Sequence, residues 1–304
     1  MMKNKIKDWL IYNTIYAGVR MAVLSDPFPR SKTPPIKQKA QEDLRIVTYN
    51  IKNAYSVKDV PLRYARIPKL CDQLKAYKPD LIGIQEADAP WMGEDETGDL
   101  SLNFPKLLSD YAYVGQSRMD DSGEWATIFY LKDKFNLIDS GTFWLSDTPN
   151  QPSKTWGSGH NRICTWVTLE NKLTGKKFTH LNTHYDTKEI SRQKSSDVML
   201  EKVKTLTNPV IMTGDFNLLQ GTSVYQKIIN AGFEDAKKIA KTKTKFGTLN
   251  LYRNHNSRFF PIIDFVFLQK EKCKVSQYQI DNSYRFDGND ISDHFPVIVD
   301  FKFK

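Results

Sequence analysis

The chain has 304 residues, enough for one large domain or two small ones, and its 40% apolar, 12% aromatic and 26% charged content excludes a disordered or fibrous polypeptide. Forty-four Lys and Arg against 35 Asp and Glu leave a formal charge of +9, which suits a phosphate-rich partner such as nucleic acid or an anionic membrane, or an ordinary basic protein whose lysines only solvate it. Cys71, Cys164 and Cys273 are odd in number, far apart and in no CxxC or Cys/His spacing, which argues against a disulfide framework or zinc site and fits a reducing compartment.

The chain opens with "MMKNKIKDWLIYNTIYAGVR", a basic start followed by an uncharged run from Trp9 to Val19. Asn13 and Thr14 interrupt the run, Arg20 follows it and no small-x-small cleavage site closes it, so it makes a poor signal peptide. It is also too short to span a bilayer. Two readings stay open for residues 1–24: an amphipathic helix lying on a membrane surface, and a helix packed on the domain. A cytoplasmic location is expected, with membrane association or export as alternatives. "SDPFPRSKTPPIKQKAQ", Ser25 to Gln41, is rich in proline and charge and reads as a linker, which makes 1–41 an extension and 42–304 one domain, expected to be a monomer. No internal repeat is visible.

Beyond Glu42, strands are expected at Leu44–Tyr49, Leu81–Gln85, Ala126–Leu131, Ile163–Leu169, Lys177–Asn182, Pro209–Thr213, Ile262–Leu268 and Pro296–Phe301, most of them rich in Ile, Val, Phe, Tyr and Thr. Helices are expected at Leu62–Tyr77, which stops before Pro79, at Ile190–Leu206, the longest, and at Thr222–Asn230. The last has Thr222 or Ser223 as its cap and Gly232 just past its end. Many strands with a few helices point to a layered α/β domain in which sheets pack face to face and helices cover the outside.

Polar residues stand at the strand ends. "RIVTYN" ends in Asn50, "LIGIQE" in Glu86, "THLNTH" in His184 and "VIMTGDFN" in Asp215 and Asn217, while "SDHFPVIVDF" places Asp293 and His294 before a strand. Burying a carboxylate costs several kcal/mol (order of magnitude) unless it is paired or binds a cation, so apolar runs do not end this way without compensation. Taken singly, each has an ordinary explanation as a turn, a cap or a satisfied side chain. In "GDFN" the two-residue strand period points Asp215 and Asn217 to one side, and Gly214 allows a bend or a close approach to a ligand. In "SDH" adjacent residues diverge on a strand, so a loop is expected from which Asp293 and His294 reach one point. There the carboxylate would fix the histidine for general-base work.

The ordered set "TYNI", "PDLIGIQE", "GEWATIFY", "NRICTW", "LNTHYD", "GDFN", "IIDFVF" and "SDHFPV" resembles the endonuclease/exonuclease/phosphatase superfamily, whose members include DNase I, over Leu44 to Phe301. "SGTFWLSDTP" and "RICTW" are similar to a bacterial group of unassigned substrate, with distant likeness to CCR4-type deadenylases. The resemblance implies a four-layer α/β/β/α sandwich with two packed mixed sheets flanked by helices. It implies Glu86, Asn50 and Asp293 at a metal, with Mg²⁺ or Mn²⁺ suited to such oxygen donors. It implies Asp215 activating water, Asn217 holding a phosphate oxygen, and His294 moving a proton while Asp264 orients it. It further implies His184 stabilising the transition state, Glu124 steadying that histidine, and Arg162 contacting phosphate.

The function so implied is Mg²⁺-dependent, nuclease-like hydrolysis of a phosphodiester or phosphomonoester. The alternatives are a phosphatase or phosphodiesterase acting on a phospholipid or inositol phosphate, and a catalytically silent binding member of the fold. Trp91, Trp125, Trp144 and Trp156 offer stacking surfaces for bases, against the commoner reading of core or rim packing. "SRMDDSGEW" and "WGSGHNR" are expected to form loops at the mouth of the site, where His160 has two readings, a substrate contact and the commoner solvent-exposed loop histidine. Tyr185 departs from the leucine usual in the bacterial group.

Overall fold

The computed structural model describes residues 6–14, 34–93, 102–119, 123–252, 260–286 and 288–304. The strands are β1 (Leu44–Asn50), β2 (Leu81–Ala87), β3 (Tyr111–Val114), β4 (Trp125–Leu131), β5 (Phe135–Trp144), β6 (Ile163–Asn171), β7 (Lys177–His184), β8 (Val210–Asp215), β9 (Phe233–Asp235), β10 (Thr242–Lys243), β11 (Asp264–Gln269), β12 (Cys273–Ile280) and β13 (Val297–Phe303). The helices are α1 (6–14), α2 (Val60–Tyr77), α3 (Ala89–Met92), α4 (Phe104–Leu107), α5 (Glu189–Lys204), α6 (Ser223–Asn230) and α7 (Ala236–Ile239). One seven-stranded sheet has the order β10-β12-β13-β1-β2-β4-β3 and one six-stranded sheet the order β5-β6-β7-β8-β11-β9. Both are mixed: β1–β2 and β7–β8 run parallel, whereas β1–β13 and β8–β11 run antiparallel.

Three apolar clusters separate four layers. Leu44, Ile46, Leu81 and Ile128 of the first sheet meet Val167, Phe178, Ile211 and Val266 of the second. Val47, Tyr49, Ile82 and Ile84, on the opposite pleat, pack under α2, α3 and α4 with Leu70, Leu74, Trp91 and Phe104. Leu181, Met212, Phe265 and Phe267 pack under α5 and α6 with Met199, Val224 and Ile228. The two-residue period therefore sorts every central strand into an inner row and a helix-facing row.

The inner rows change character along their length. In β1 the row runs Leu44, Ile46, Thr48, Asn50; in β2 Leu81, Gly83, Gln85; in β7 Phe178, His180, Asn182, His184; in β8 Ile211, Thr213, Asp215. One end of the sandwich interior is thus apolar, the middle neutral and polar, and the other end ionisable. In the middle, Asn182 donates to the carbonyls of Ile84 (2.8 Å) and Thr127 (3.0 Å), while its oxygen accepts from Gln85 (2.7 Å) and Thr213 (3.0 Å). Gln85 also donates to Thr48 at 3.0 Å, and His180 Nε2 lies 2.7 Å from Thr213 Oγ1. Gly83 gives this seam its room, since a Cβ there would come within 2.5 Å of Thr213 Oγ1.

Several expectations change. The longest helix is α2, with 18 residues against 16 for α5. β11 begins at Asp264, leaving Ile262 and Ile263 in the preceding loop, and β3, β5, β9, β10 and β12 are additional strands. Thr222 stands at the N-cap of α6, but its hydroxyl donates back to Leu219. The cap oxygen comes instead from Asp8 of α1, whose carboxylate accepts from Ser223 N at 3.0 Å. Tyr12 of α1 lies under the Arg192 guanidinium at 5.0 Å, which ties α1 to α5 as well. Of the expected linker, residues 25–33 lie outside the described residues, as do 15–24 of the N-terminal run. Residues 34–41 run against the domain: Pro34 O accepts from Gln279, Lys37 O accepts from Arg45, and Ile36 joins the cluster under α2. No helix among the described residues is long and apolar enough to cross a membrane.

Candidate active site

Register builds the ionisable end. β7 and β8 pair His184 with Asp215, and β8 and β11 pair Asp215 with Asp264, so three neighbouring strands of one sheet place these residues in a single row. Facing them, β1 ends in Asn50, and β2 ends in a bulge between Gln85 and Ala87 that leaves Glu86 as the extra residue. A bulge re-aims one side chain out of the pleat. Glu86 adopts φ 62°, a left-handed backbone that costs a residue with a Cβ about 1 kcal/mol or more. Asn50 closes the two half-sites, since its Nδ2 donates to Glu86 Oε1 at 2.9 Å and to Asp215 Oδ2 at 3.1 Å.

His294 and Asp293 enter from the segment before β13. His294 Nδ1 bonds Asp264 Oδ2 at 2.9 Å, and its Nε2 lies 3.8 Å from Asp215 Oδ2. The neighbouring Asp293 pairs with Lys52 at 3.2 Å, on the β1 side, so the two consecutive residues serve opposite sheets. His184 Nε2 reaches Asp215 Oδ2 at 3.4 Å, which places that carboxylate oxygen between two imidazoles. Asp215 and Asn217 come together through an Asx turn and not through the strand pleat: Asn217 N donates to Asp215 Oδ1 at 2.9 Å, and Asn217 has φ 49°. Its amide then donates to Tyr185 O at 2.9 Å. Gly214 approaches backbone, not a ligand: a Cβ there would stand 2.1 Å from Thr183 O on β7.

Glu124 is tied differently from expectation. It accepts from Arg118 Nη1 at 2.6 Å and from Asn53 Nδ2 at 3.0 Å, while His184 Nδ1 is buried without a hydrogen-bond partner, so Glu124 does not steady that ring. The side chain of Arg162 is buried, 3.6 Å from Asp186. Three residues of this network had no place in the sequence reading. Asn53 holds Glu86 through its backbone N (3.1 Å) and its Nδ2 (3.2 Å), Lys52 pairs with Asp293, and Arg118 anchors Glu124. Lys52 and Asn53 sit two and three residues past a strand end that already carried a signal, and Arg118 precedes Glu124 by six. Among the tryptophans, Trp91 is fully buried against Phe104, and Trp144 is buried with its Nε1 donating to Arg118 O. Tyr185, the departure from the bacterial group, is a core residue stacked edge-on to Phe216. His160 is exposed, as its loop position suggested; the loop around "SRMDDSGEW" includes 120–122, which lie outside the described residues.

Burial and neighbours split the ionisable groups. Burial raises Glu86, but Lys52 and the N–H donors of Asn50 and Asn53 outweigh it and keep the carboxylate below its usual range. Burial and the neighbouring Asp264 push Asp215 up to about 7. Burial opposes a charged His294, yet Asp264 and Asp215 raise it to about 10. Burial, then Arg162 and Arg118, hold His184 well below 6.5 and neutral. Glu124 is raised by burial and by Glu86.

A hard cation fits the Glu86 side. Asp293 Oδ1 is buried with no hydrogen-bond partner, and each Glu86 oxygen keeps acceptor capacity beyond its amide donors. Asp215, Asp264 and His294 form a second convergent set, with donor atoms within 4.8 Å of one another. In that set His294 Nδ1 is already engaged with Asp264, the arrangement of an oriented proton carrier.

Comparison with known proteins agrees with this geometry. The profile of the Endonuclease/Exonuclease/phosphatase family matches residues 47–294. An endonuclease/exonuclease/phosphatase family protein of Bacteroides thetaiotaomicron superposes with a TM-score of 0.77 at 29% identity, covering 87% of this chain and 96% of that one. The mannosyl-6-phosphatase of the same organism gives 0.75 at 30% identity, covering 86% and 100%. An uncharacterized protein of Acanthamoeba polyphaga mimivirus is 24% identical over 242 residues, 75% of this chain and 88% of its own length.

Proposed function

Because the chain belongs to the endonuclease/exonuclease/phosphatase family, we propose that it hydrolyses a phosphoester by in-line attack of water with Mg²⁺ or Mn²⁺ as cofactor, on a nuclease-like phosphodiester in preference to a monoester. The observation that carries this is the single register row His184, Asp215, Asp264 facing Asn50 and Glu86, with His294 locked on Asp264.

Glu86, Asn50 and Asp293 would hold the cation, which when bound neutralises charge on the phosphoryl oxygens and the leaving oxygen. The remaining roles belong to side chains. Asp215, raised to about 7, accepts a proton from water near neutral pH and is fixed by Asn50 and by the Asn217 backbone. His294, held by Asp264, carries a proton at Nε2 toward the same Asp215 oxygen region. His184, Asn217 and Arg162 supply donors for the charge that builds on the phosphoryl group. Glu124 acts at one remove, by holding Arg118 and Asn53.

A second reading, a sugar-phosphate monoesterase, is favoured by the neighbour named as a mannosyl-6-phosphatase. The test is hydrolysis of bis(4-nitrophenyl) phosphate and 4-nitrophenyl phosphate with Mg²⁺, with Mn²⁺ and with EDTA. Activity is expected only with metal, greater on the diester, and reduced at least 10²-fold in Asp215→Ala and His294→Ala. A wild type inert on both esters with metal supplied, yet binding phosphate, would make the chain a binding member of the fold. Faster monoester hydrolysis would select the second reading.

A further inference from the structure

Helix α1 packs on the domain by the side that carries Asp8. That carboxylate, on a residue 2% exposed, accepts from Ser223 N at 3.0 Å, and the Arg192 guanidinium stands 5.0 Å over the Tyr12 ring. Half-buried Ile11 reaches over Gly221, where an added Cβ would meet Ile11 Cδ1 at 3.8 Å. Asp8, Ile11 and Tyr12 stand three and four positions apart, so they share one face of the helix. The other face carries Ile6, Trp9 and Leu10 at the same spacing, and these are 54%, 63% and 52% exposed.

An amphipathic helix that docks on a globular domain ordinarily buries its apolar stripe and turns its charges to water. In α1 the order is reversed: among residues 1–20 the one acid is Asp8, which is buried, while three large apolar side chains face outward. The groove of about 590 Å³ beside α1 does not take them in, since α1 lines it with Lys7 and Asp8 against charged residues of α5 and α6. A helix this short is marginal in water by itself, so the contacts of Asp8 and Tyr12 hold it formed with this face outward. They also fix where it sits. Ser223 opens α6, which follows the Asp215–Asn217 turn, and Arg192 lies in the first turn of α5, which follows His184. The apolar face is thus held at the end of the helix layer nearest the candidate site.

We propose that Ile6, Trp9 and Leu10 seat this protein on an anionic lipid surface, with α1 lying along the headgroup layer. Lys7 is exposed on the rim of the apolar face, Lys3 and Lys5 precede it in the chain, and with Asp8 turned inward no carboxylate of the helix opposes them. Trp9 brings an apolar ring with a polar N–H, the combination that settles at the boundary between headgroups and acyl chains. A second copy of the chain is a poorer occupant. The exposed parts of the three side chains offer on the order of 300 Å², well under the about 800 Å² per partner of a stable interface. A lipid surface needs no matching pocket, and a preformed helix meets it without the cost of folding on contact.

The test is sedimentation of the full-length protein with vesicles of phosphatidylcholine plus phosphatidylserine and with vesicles of phosphatidylcholine alone. Affinity for the anionic vesicles is expected to be about tenfold the greater. Tryptophan emission should shift to the blue on binding, a shift that Trp9→Phe removes while binding persists. Trp9→Ser combined with Leu10→Ser is expected to weaken binding about tenfold, as is Lys7→Glu, with thermal unfolding unchanged because all three residues face solvent. Wild type left in the supernatant with anionic vesicles, equal binding to both vesicle types, or binding unmoved by either variant would overturn the proposal. So would a vesicle-free dimer that Trp9→Ser with Leu10→Ser dissociates, which would assign the face to a second copy. Hydrolysis plays no part in this readout, so the lipid contact and the phosphoesterase reading fail separately.

Discussion

Replacing Gly214 with alanine probes the register on which the site depends. Gly214 has φ 151°, and a Cβ there would stand 2.1 Å from Thr183 O on the parallel strand β7. To reach even 3.0 Å, below which real Cβ contacts essentially do not occur, the two strands must part by about 0.9 Å (3.0 − 2.1) at this pair. Two ladder hydrogen bonds stretched at about 1 kcal/mol each, with about 1 kcal/mol of backbone strain, give a loss of about 3 kcal/mol. His184 and Asp215 are the next pair along the same two strands, so they part with it. A displacement near 1 Å at reacting groups costs on the order of 10²-fold in rate. Urea unfolding should therefore show about 3 kcal/mol of destabilisation. Hydrolysis of bis(4-nitrophenyl) phosphate, measured well below the new transition, should fall about 10²-fold. Stability within about 0.5 kcal/mol of wild type together with unchanged kcat would refute the reasoning, because the strands would then be free to adjust without moving the site.

Glu86→Ala and Glu86→Gly should both abolish hydrolysis, but the glycine variant should be about 1 kcal/mol the more stable of the two, because φ 62° penalises any Cβ; denaturant midpoints decide this, and equal midpoints would mean that the bulge relaxes. His294 has a folded pKa of about 10 against about 6.5 in an unfolded chain, so the folded state holds the proton more tightly. Its contribution to stability is complete below pH 6.5 and is lost as pH climbs toward 10. In EDTA, the stability gap between wild type and Asp264→Asn should narrow across that window, and a gap that widens would contradict the pairing. Asp8→Ala removes the carboxylate that caps α6 and should cost about 1 kcal/mol in thermal unfolding without altering kcat.

The sequence made most of the central architecture readable for a simple reason. β1, β2, β7 and β8 are buried on both faces, so they appear as short apolar runs, and their polar tips stand out against that background. The strands that escaped notice lack this contrast. The middle of β5, "NLIDS", is exposed and bulged between Leu137 and Asp139, and β12 mixes Cys273, Val275 and Ile280 with Ser276, Gln277 and Gln279. At the site, the structure brings Asp264 beside His294 and sets Asn50 between Glu86 and Asp215. Asn53, Lys52 and Arg118 were illegible because they act from turns and loops, where side-chain direction is set by backbone angles that no periodicity encodes; Lys52 has φ 60°. Glu124 was legible as a residue and misjudged in its contact, since nothing in "GEW" says that Arg118 returns to meet it. The cap of α6 was missed because its donor of oxygen lies 215 residues earlier in the chain.

The polar seam beneath the site has a consequence for how such a protein can change over time. Thr48, Gln85, His180, Asn182 and Thr213 are linked by hydrogen bonds across both sheets, and Gly83 leaves room for them. Changing one alone strands its neighbours inside the sandwich, and enlarging Gly83 forces Thr213 or Asn182 aside. Substitutions in this layer are therefore admissible mainly in concert, so that what any one position can become depends on what the others already are. The layer that spaces the two halves of the site is in this sense composed jointly, each member setting what the others can be.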